Sequence, residues 1–308
     1  MCIVAIGEPL LEFSNITTEQ GDNVYLPGFG GDTSNFIIAA ARQGASTAYF
    51  THIGADAFGD LFLDLWRREG VDVSYVVRSQ DAHTGMYFIT YTESGHQFTY
   101  MRKGSAASRV KPEDIPEALI KKAKILHVSG ISQAISESAC DAVFHAINIA
   151  KKNDVIVTYD PNLRLKLWGL DRARAVIHAT AAMADIFFPS QEDVQQLTGL
   201  TEPDSLVDYY HSLGIKTILL KLGSKGVLVS DSKSRKLIPG LKVDTVDQSG
   251  AGDTFDGAFC AQYLKGYGIF ESAEYANAAA ALSTMGHGAV TPIPYRKDTE
   301  AFLDSLNK

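Results

Sequence analysis

Short apolar, β-rich runs alternate with segments of helical period along most of this chain, and that alternation constrains the fold more than any other feature. Residues 3–6, 48–52, 125–128, 155–159, 186–189 and 217–222 read as buried strands. Helical patterns lie between them near 33–43, 58–69, 137–151, 170–182 and 205–213, and the C-terminal third reads as helices over 250–264, 271–285 and 297–306. Strands joined by helices in this way imply βαβ units, a mostly parallel sheet and helices on both faces, so the expected class is α/β. One region departs from the pattern. Residues 84–92 and 97–102 alternate with period two and are joined through Glu93-Ser94-Gly95-His96, a hairpin signal, and the stretch 23–26 has the same sheet-like character. A small antiparallel lid, drawn from about 10–30 and 75–108, is therefore expected on the α/β core.

Composition removes several classes of function. The chain has 308 residues, of which 45% are hydrophobic, too many for a disordered protein. Its 28 basic and 36 acidic residues leave a net charge of −8 with no basic stripe, which argues against a nucleic-acid partner. No apolar run reaches 18 residues, so no membrane span is expected, and Glu8 falls where a signal peptide would be apolar. Cys2, Cys140 and Cys260 form no CxxC pair, which suits reduced thiols in the cytoplasm. There is no P-loop, no GxGxxG after the first strand (hence no case for a Rossmann oxidoreductase), no HExxH, no other metal-ligand cluster and no GxSxG.

Chemistry is concentrated at two glycine stretches. In Gln248-Ser249-Gly250-Ala251-Gly252-Asp253, small residues precede an apolar helix. Such a helix entrance lets backbone N–H groups approach a phosphate, and a carboxylate in the first turn is placed to take a proton from an attacking hydroxyl. Asp253 could equally be a helix cap after a glycine turn. Gly30-Gly31 precedes Asp32-Thr33-Ser34-Asn35 and another apolar helix, an arrangement that permits close approach of a small polyol or serves as an ordinary capped loop.

Together these stretches resemble the two signatures of the ribokinase-like (PfkB) carbohydrate kinases, and the resemblance extends over essentially the whole chain. It implies one ribokinase-like domain over 1–308, ATP and Mg²⁺ as the phosphoryl-donor system, Asp253 as general base, and the amides of Gly250, Ala251 and Gly252 as an anion hole. Gly31, Asp32, Thr33, Ser34 and Asn35 would border the sugar. The loop Gly223-Ser224-Lys225-Gly226, with Lys221 before it, matches the nucleotide loop, although alone it reads as a hairpin turn. Asn277 matches a position lining the adenine pocket, and alone it is a polar residue on a helix. Ser190-Gln191-Glu192-Asp193 stands where the family has an Asn-x-x-Glu motif linked to magnesium and phosphate, which makes Ser190 a nucleotide contact and Glu192 and Asp193 candidates near the ion. Gln248 replaces a usual Thr.

Tyr100-Met101-Arg102-Lys103-Gly104 and Tyr159-Asp160-Pro161-Asn162-Leu163-Arg164 resemble the 2-keto-3-deoxygluconate kinases within that family. In a strand, Tyr100 and Arg102 share a face. Arg164 follows the carboxyl end of a parallel strand, where open α/β sheets bind ligands. Two guanidinium forks match a sugar carboxylate better than a neutral hexose. By the same resemblance Tyr87 joins Tyr100 in the sugar pocket. The plainer reading makes Arg102 a solvent-facing lid charge and Arg164 an ion-pair partner of Asp160 or Asp171. The expected activity is ATP-dependent phosphorylation of the C6 hydroxyl of 2-keto-3-deoxygluconate. A fructokinase is the alternative, and a non-catalytic sugar sensor a distant third. Pairing of two copies through the lid is also expected, with Tyr87, Phe88, Tyr91 and Phe98 available for it.

Overall fold

A computed structural model describes residues 2–17, 21–92 and 95–306. The chain begins with β1 (Cys2–Ile6), β2 (Leu10–Thr17), β3 (Asn23–Gly30), α1 (Asp32–Arg42), β4 (Ser46–Phe50), β5 (His52–Gly54), α2 (Ala57–Arg68), β6 (Val77–Ser79), β7 (Met86–Thr92) and β8 (Gly95–Met101). It continues through α3 (Glu117–Ile120), β9 (Ile125–Ser129), α4 (Gly130–Ala134), α5 (Glu137–Lys152), β10 (Ile156–Asp160), α6 (Leu170–Ala181), β11 (Ile186–Phe187), α7 (Gln191–Thr198) and α8 (Pro203–Ser212). The remaining elements are β12 (Thr217–Lys221), β13 (Gly226–Ser230), β14 (Arg235–Pro239), α9 (Ala251–Tyr263), α10 (Ile269–Ser283) and α11 (Arg296–Leu306).

Eight strands form the main sheet in the order β14-β13-β12-β11-β10-β9-β1-β4. Neighbours from β12 to β4 run parallel, and β13 and β14 close one edge as antiparallel strands. The central strand β1 shows why the apolar runs were continuous. Ile3 and Ala5 enter the core on the side of α1 and α9, Val4 and Ile6 the core on the side of α5 and α6, so both faces are buried. The register sets Ile3 beside Thr47 of β4 and Ile125 of β9.

The second sheet, β3-β2-β7-β8, is the lid. Its strands span Leu10–Thr17, Asn23–Gly30, Met86–Thr92 and Gly95–Met101, a narrower region than 10–30 with 75–108. Residues 77–79 pair instead with β5, and residues 105–108 are buried. Glu93 and Ser94 of the expected turn lie outside the described residues. β2 and β7 are parallel, so the lid is mixed rather than purely antiparallel. Phe13 and Phe29 of one lid face pack on Phe58 and Phe62 of α2, with ring centroids 5.7 and 5.2 Å apart, and this seats the lid on the core.

Two strand boundaries shift for local reasons. The run 48–52 divides because the chain leaves the main sheet after Phe50 and pairs His52–Gly54 with β6. The run 186–189 is laddered only over Ile186–Phe187, since Pro189 has no N–H to contribute. Among the described residues no helix is long and apolar enough to cross a membrane, and all three cysteines are free.

Candidate active site

The carboxyl ends of the parallel strands meet the N-termini of α1 and α9, and the signature residues converge there. Gly250 caps α9 in the left-handed region at φ 72°, a conformation that favours glycine. The Ala251 amide turns back to the Gln248 carbonyl at 3.2 Å. The amides of Gly252 and Asp253, at the helix entrance, have no backbone acceptor among the described residues. Of the three amides expected to form an anion hole, that of Ala251 is occupied by the Gln248 carbonyl, whereas those of Gly250 and Gly252 have no backbone acceptor among the described residues.

Asp253 lies in the first turn and accepts a hydrogen bond from Asn35 Nδ2 at 2.8 Å. Burial, then the Asp32 charge, pushes its carboxyl up to about 7, while Asn35 and Lys221 restrain the rise. A base poised near neutrality beside open helix amides is suited to removing a proton from a hydroxyl that attacks an anion held on those amides. Asn35 is 4% exposed and its Oδ1 has no donor partner. With Nδ2 committed to Asp253, that buried oxygen is an acceptor waiting for a hydroxyl.

The segment after β10 explains the Asp160-Pro161-Asn162-Leu163-Arg164 motif. Asp160 Oδ1 accepts from the Asn162 amide at 3.0 Å, and Asn162 sits at φ 35°, a left-handed turn that Asn tolerates. The turn carries Asn162 Nδ2 to Asp32 Oδ2 at 3.2 Å, and Asp32 Oδ1 also accepts the Thr33 amide at 2.8 Å. Burial raises the Asp32 carboxyl, and the Asp160 charge adds to the effect. Thr33 and Ser34 do not line the opening. Thr33 bonds Tyr49 at 2.9 Å and Ser34 accepts from Trp66 at 3.0 Å, so both are core contacts that anchor α1.

Arg164 is exposed and donates to the Leu163 carbonyl at 2.9 Å. Neither carboxylate suggested as its partner takes it, since Asp160 pairs with Lys221 and Asp171 with Arg174. Among the described residues no carboxylate lies within ion-pair distance of Arg164. Arg102 is different. It is buried, and its Nε and one terminal nitrogen both donate to Glu8, the former at 2.9 Å. Glu8 also accepts from Ser105 at 2.9 Å. The expectation of two open forks is corrected here, because Glu8 already fills that of Arg102. Nor is Arg102 a solvent-facing lid charge.

Tyr87 donates its hydroxyl to Glu12 across the lid, and its ring lies 5.7 Å from that of Tyr100, its cross-strand partner. Tyr100 is 42% exposed and stands over the guanidinium of Arg102 at 5.8 Å. Glu8, Glu12, Asn162 and Asp160 thus bond to residues expected at the site and were not themselves among them. Glu8 and Asp160 carry a legible signal, each being a carboxylate at the end of an apolar strand run. Glu12 and Asn162 carry little, since their roles depend on partners 75 and 130 positions away.

Gly223-Ser224-Lys225 forms a single 3₁₀ turn joining β12 to the antiparallel β13, so the loop expected at the nucleotide has the geometry of a hairpin turn. Asn277 Nδ2 donates to the Pro239 carbonyl at 2.9 Å beside that turn. Ser190 caps α7, its Oγ accepting from the Asp193 amide at 3.1 Å. The Asp193 carboxylate takes the Leu163 amide at 3.1 Å, and burial lifts it to about 6. Glu192 is exposed at the start of α7. Among the described residues no group of three His, Cys, Asp or Glu is arranged to hold a metal.

Three comparisons bear on this geometry. A profile described as pfkB family carbohydrate kinase matches residues 4–296. The 2-dehydro-3-deoxygluconokinase of Thermoproteus tenax is 35% identical over 99% of this chain and 94% of its own, and fructokinase-1 of Zea mays is 32% identical over 95% and 94%. The aminoimidazole riboside kinase of Salmonella enterica, solved with aminoimidazole riboside and an ATP analogue, superposes with a TM-score of 0.89 at 25% identity, covering 98% of this chain and 100% of that one.

Proposed function

Because the chain belongs to the pfkB family of carbohydrate kinases, we propose that it transfers the γ-phosphoryl group of ATP to the C6 hydroxyl of 2-keto-3-deoxygluconate. The fold is the ribokinase-like α/β fold with a small lid, and the reaction class is phosphotransfer to a sugar acceptor. The observation that carries the mechanism is the half-buried Asp253 carboxylate, held by Asn35 at 2.8 Å beside the open amides of Gly252 and Asp253. The sugar lies between α1 and the lid, where Asn35 Oδ1 accepts one of its hydroxyls, and Gly31, at φ 99°, lets the start of α1 pack against the backbone of residues 8–10. Tyr100 presents a ring to its carbon face. Asp253 takes the proton of the attacking hydroxyl as the oxygen–phosphorus bond forms. The bond from the γ-phosphorus to the bridging oxygen breaks, and its electron pair leaves with ADP. Bound with ATP, Mg²⁺ would neutralise phosphate charge, and Glu192 and Asp193 at the start of α7 are the residues that would lie near it. Ser190, Lys221, the 223–226 turn and Asn277 border the nucleotide.

The sugar is assigned from Arg164. An exposed guanidinium with no carboxylate in ion-pair contact among the described residues, its charge felt only at a distance by Asp32 and Asp193, is a ready fork for a substrate carboxylate. One specific observation favours a neutral sugar such as fructose instead, namely that Arg102 already has its carboxylate in Glu8. On the present reading Arg102 is a fixed wall of the pocket and Arg164 alone binds the acid. Two copies pair through the lid, where Ile16, Val24 and Leu26 are exposed on the sheet face that also carries Tyr87 and Tyr100. The mechanism is tested by Asp253→Asn, which keeps the shape of the side chain and removes its basicity. Turnover should fall by about 10²–10⁴-fold with ATP binding retained in titration calorimetry, and undiminished turnover would remove Asp253 as the base.

A further inference from the structure

Beneath the first turn of α9 lies a charge cluster of which the proposed reaction uses only Lys221, as a border of the nucleotide. Lys221 Nζ, at the end of β12, donates to Asp160 Oδ2 at 2.8 Å and to both carboxyl oxygens of Asp256 at 3.2 Å. Asp160 and Asp256 are 5% and 1% exposed. A Cβ placed on Gly252 would lie 3.4 Å from Lys221 Nζ, so the ammonium sits directly under the backbone whose amides face the anion. Asp256 follows Asp253 by three residues on α9, which puts both carboxyls on one face of the helix.

We propose that Asp256 is a positioning residue for phosphoryl transfer, fixing the Lys221 ammonium, together with Asp160, under Gly252, so that one held positive charge serves both the anion hole and the Asp253 carboxylate. This rests on Asp253 being the base. The charged and titratable groups facing Asp253 are Asp32 from α1, Asp160 from β10, Lys221 from β12 and Asp256 from its own helix. His127 of β9, whose own neighbours are Asp160 and Lys221, is pushed by burial down to about 3 and stays neutral. Lys221 is therefore the one cation in this set. Its own charge persists although burial opposes it, because Asp160 and Asp256 flank it. Removing it leaves Asp253 facing only acids. Asp253 then holds its proton to higher pH, and less of the enzyme has a competent base at neutrality.

The test is the pH profile of kcat/KM in the full-length enzyme. In the wild type the acid limb should fall near pH 7. In Lys221→Met it should move alkaline by about 1–3 pH units, with kcat at pH 7 reduced by about tenfold or more and a smaller change in KM for the sugar. Burial pushes the Asp256 carboxyl well up, so Asp256→Ala takes no negative charge from beside Asp253 and acts only by loosening Lys221. It should move the limb in the same direction, and Asp256→Asn, whose amide oxygen still accepts from Nζ, should restore most of the activity. Because Asp256 acts through Lys221, the double variant Lys221→Met/Asp256→Ala should be no slower than Lys221→Met alone. Asp256→Ala reads the same contact without stripping the cation from a buried acid pair, so a poorly folding Lys221→Met does not leave the matter open. Folded variants with an unmoved acid limb, or losses that multiply in the double variant, overturn the proposal. If Asp253→Asn is inactive in the same assays, only this inference falls. If Asp253→Asn turns over normally, the base assignment itself is wrong.

Discussion

Arg164 and Arg102 carry the same charge into different surroundings, and the surroundings decide their use. Arg102 meets Glu8 in the core and is spent on holding the lid exit to the loop after β1. Arg164 follows the left-handed turn at Asn162, is exposed and donates only to the Leu163 carbonyl, which on the proposed function leaves its fork for a ligand. A charge-assisted hydrogen bond is worth about 1.5–3 kcal/mol, and the planar fork makes two of them with one carboxylate. Arg164→Lys keeps the charge but loses the fork. It should therefore lower kcat/KM for the keto acid by about tenfold to a hundredfold and leave a neutral sugar nearly unaffected, as read by steady-state kinetics on both. Equal losses would make Arg164 a structural residue.

The elements that hold Asn35 against Asp253 are α1 and α9, and they cross at Gly257. A Cβ there would stand 2.5 Å from the Phe36 carbonyl oxygen and 2.8 Å from the Ala39 Cβ. The two helices approach this closely only because position 257 has no side chain, and the 2.8 Å Asn35–Asp253 bond lies near the same crossing. Gly257→Ala should force the helices apart, cost about 1–3 kcal/mol in urea unfolding, and lower kcat more than it weakens ATP binding. Unchanged stability and turnover would show that the helix spacing does not set the site. Elements of this buried kind were legible in the sequence. β1, β9, β10 and β12 are apolar on both faces, so each shows as an unbroken run. β2 was not, because Glu12, Ser14 and Asn15 interrupt its apolar residues as one face turns to the cleft. α7 was missed because its eight residues carry only two buried ones, and its start is marked solely by the Ser190 cap.

At the scale of the whole molecule, the sites that sequence could place are those in which neighbouring residues do the work. The glycines before Asp253 and the turn at Asp160-Pro161-Asn162 are of that kind. Pairs that close over long separations are not. Glu8 and Arg102 lie 94 positions apart, and Lys221 and Asp160 lie 61 apart, so the filled fork and the buried cluster emerge only once the sheet brings them together. The lid also bears on assembly. Leu26 is 51% exposed and, with Ile16 and Val24, extends the cleft side of the lid as an apolar strip. Placing a charge there, as in Leu26→Lys, should convert a dimer to a monomer in sedimentation velocity. A monomeric wild type would contradict lid pairing.

On the proposed function, this carbohydrate kinase chooses its acceptor by a carboxylate. ADP formation from ATP and Mg²⁺ should be measured with 2-keto-3-deoxygluconate, fructose and ribose in parallel, on one enzyme preparation. The account predicts a kcat/KM for the keto acid at least about a hundredfold above either neutral sugar. Equal or greater turnover of fructose would contradict it, leaving Asp253 and the helix entrance in place and removing Arg164 as the seat of specificity.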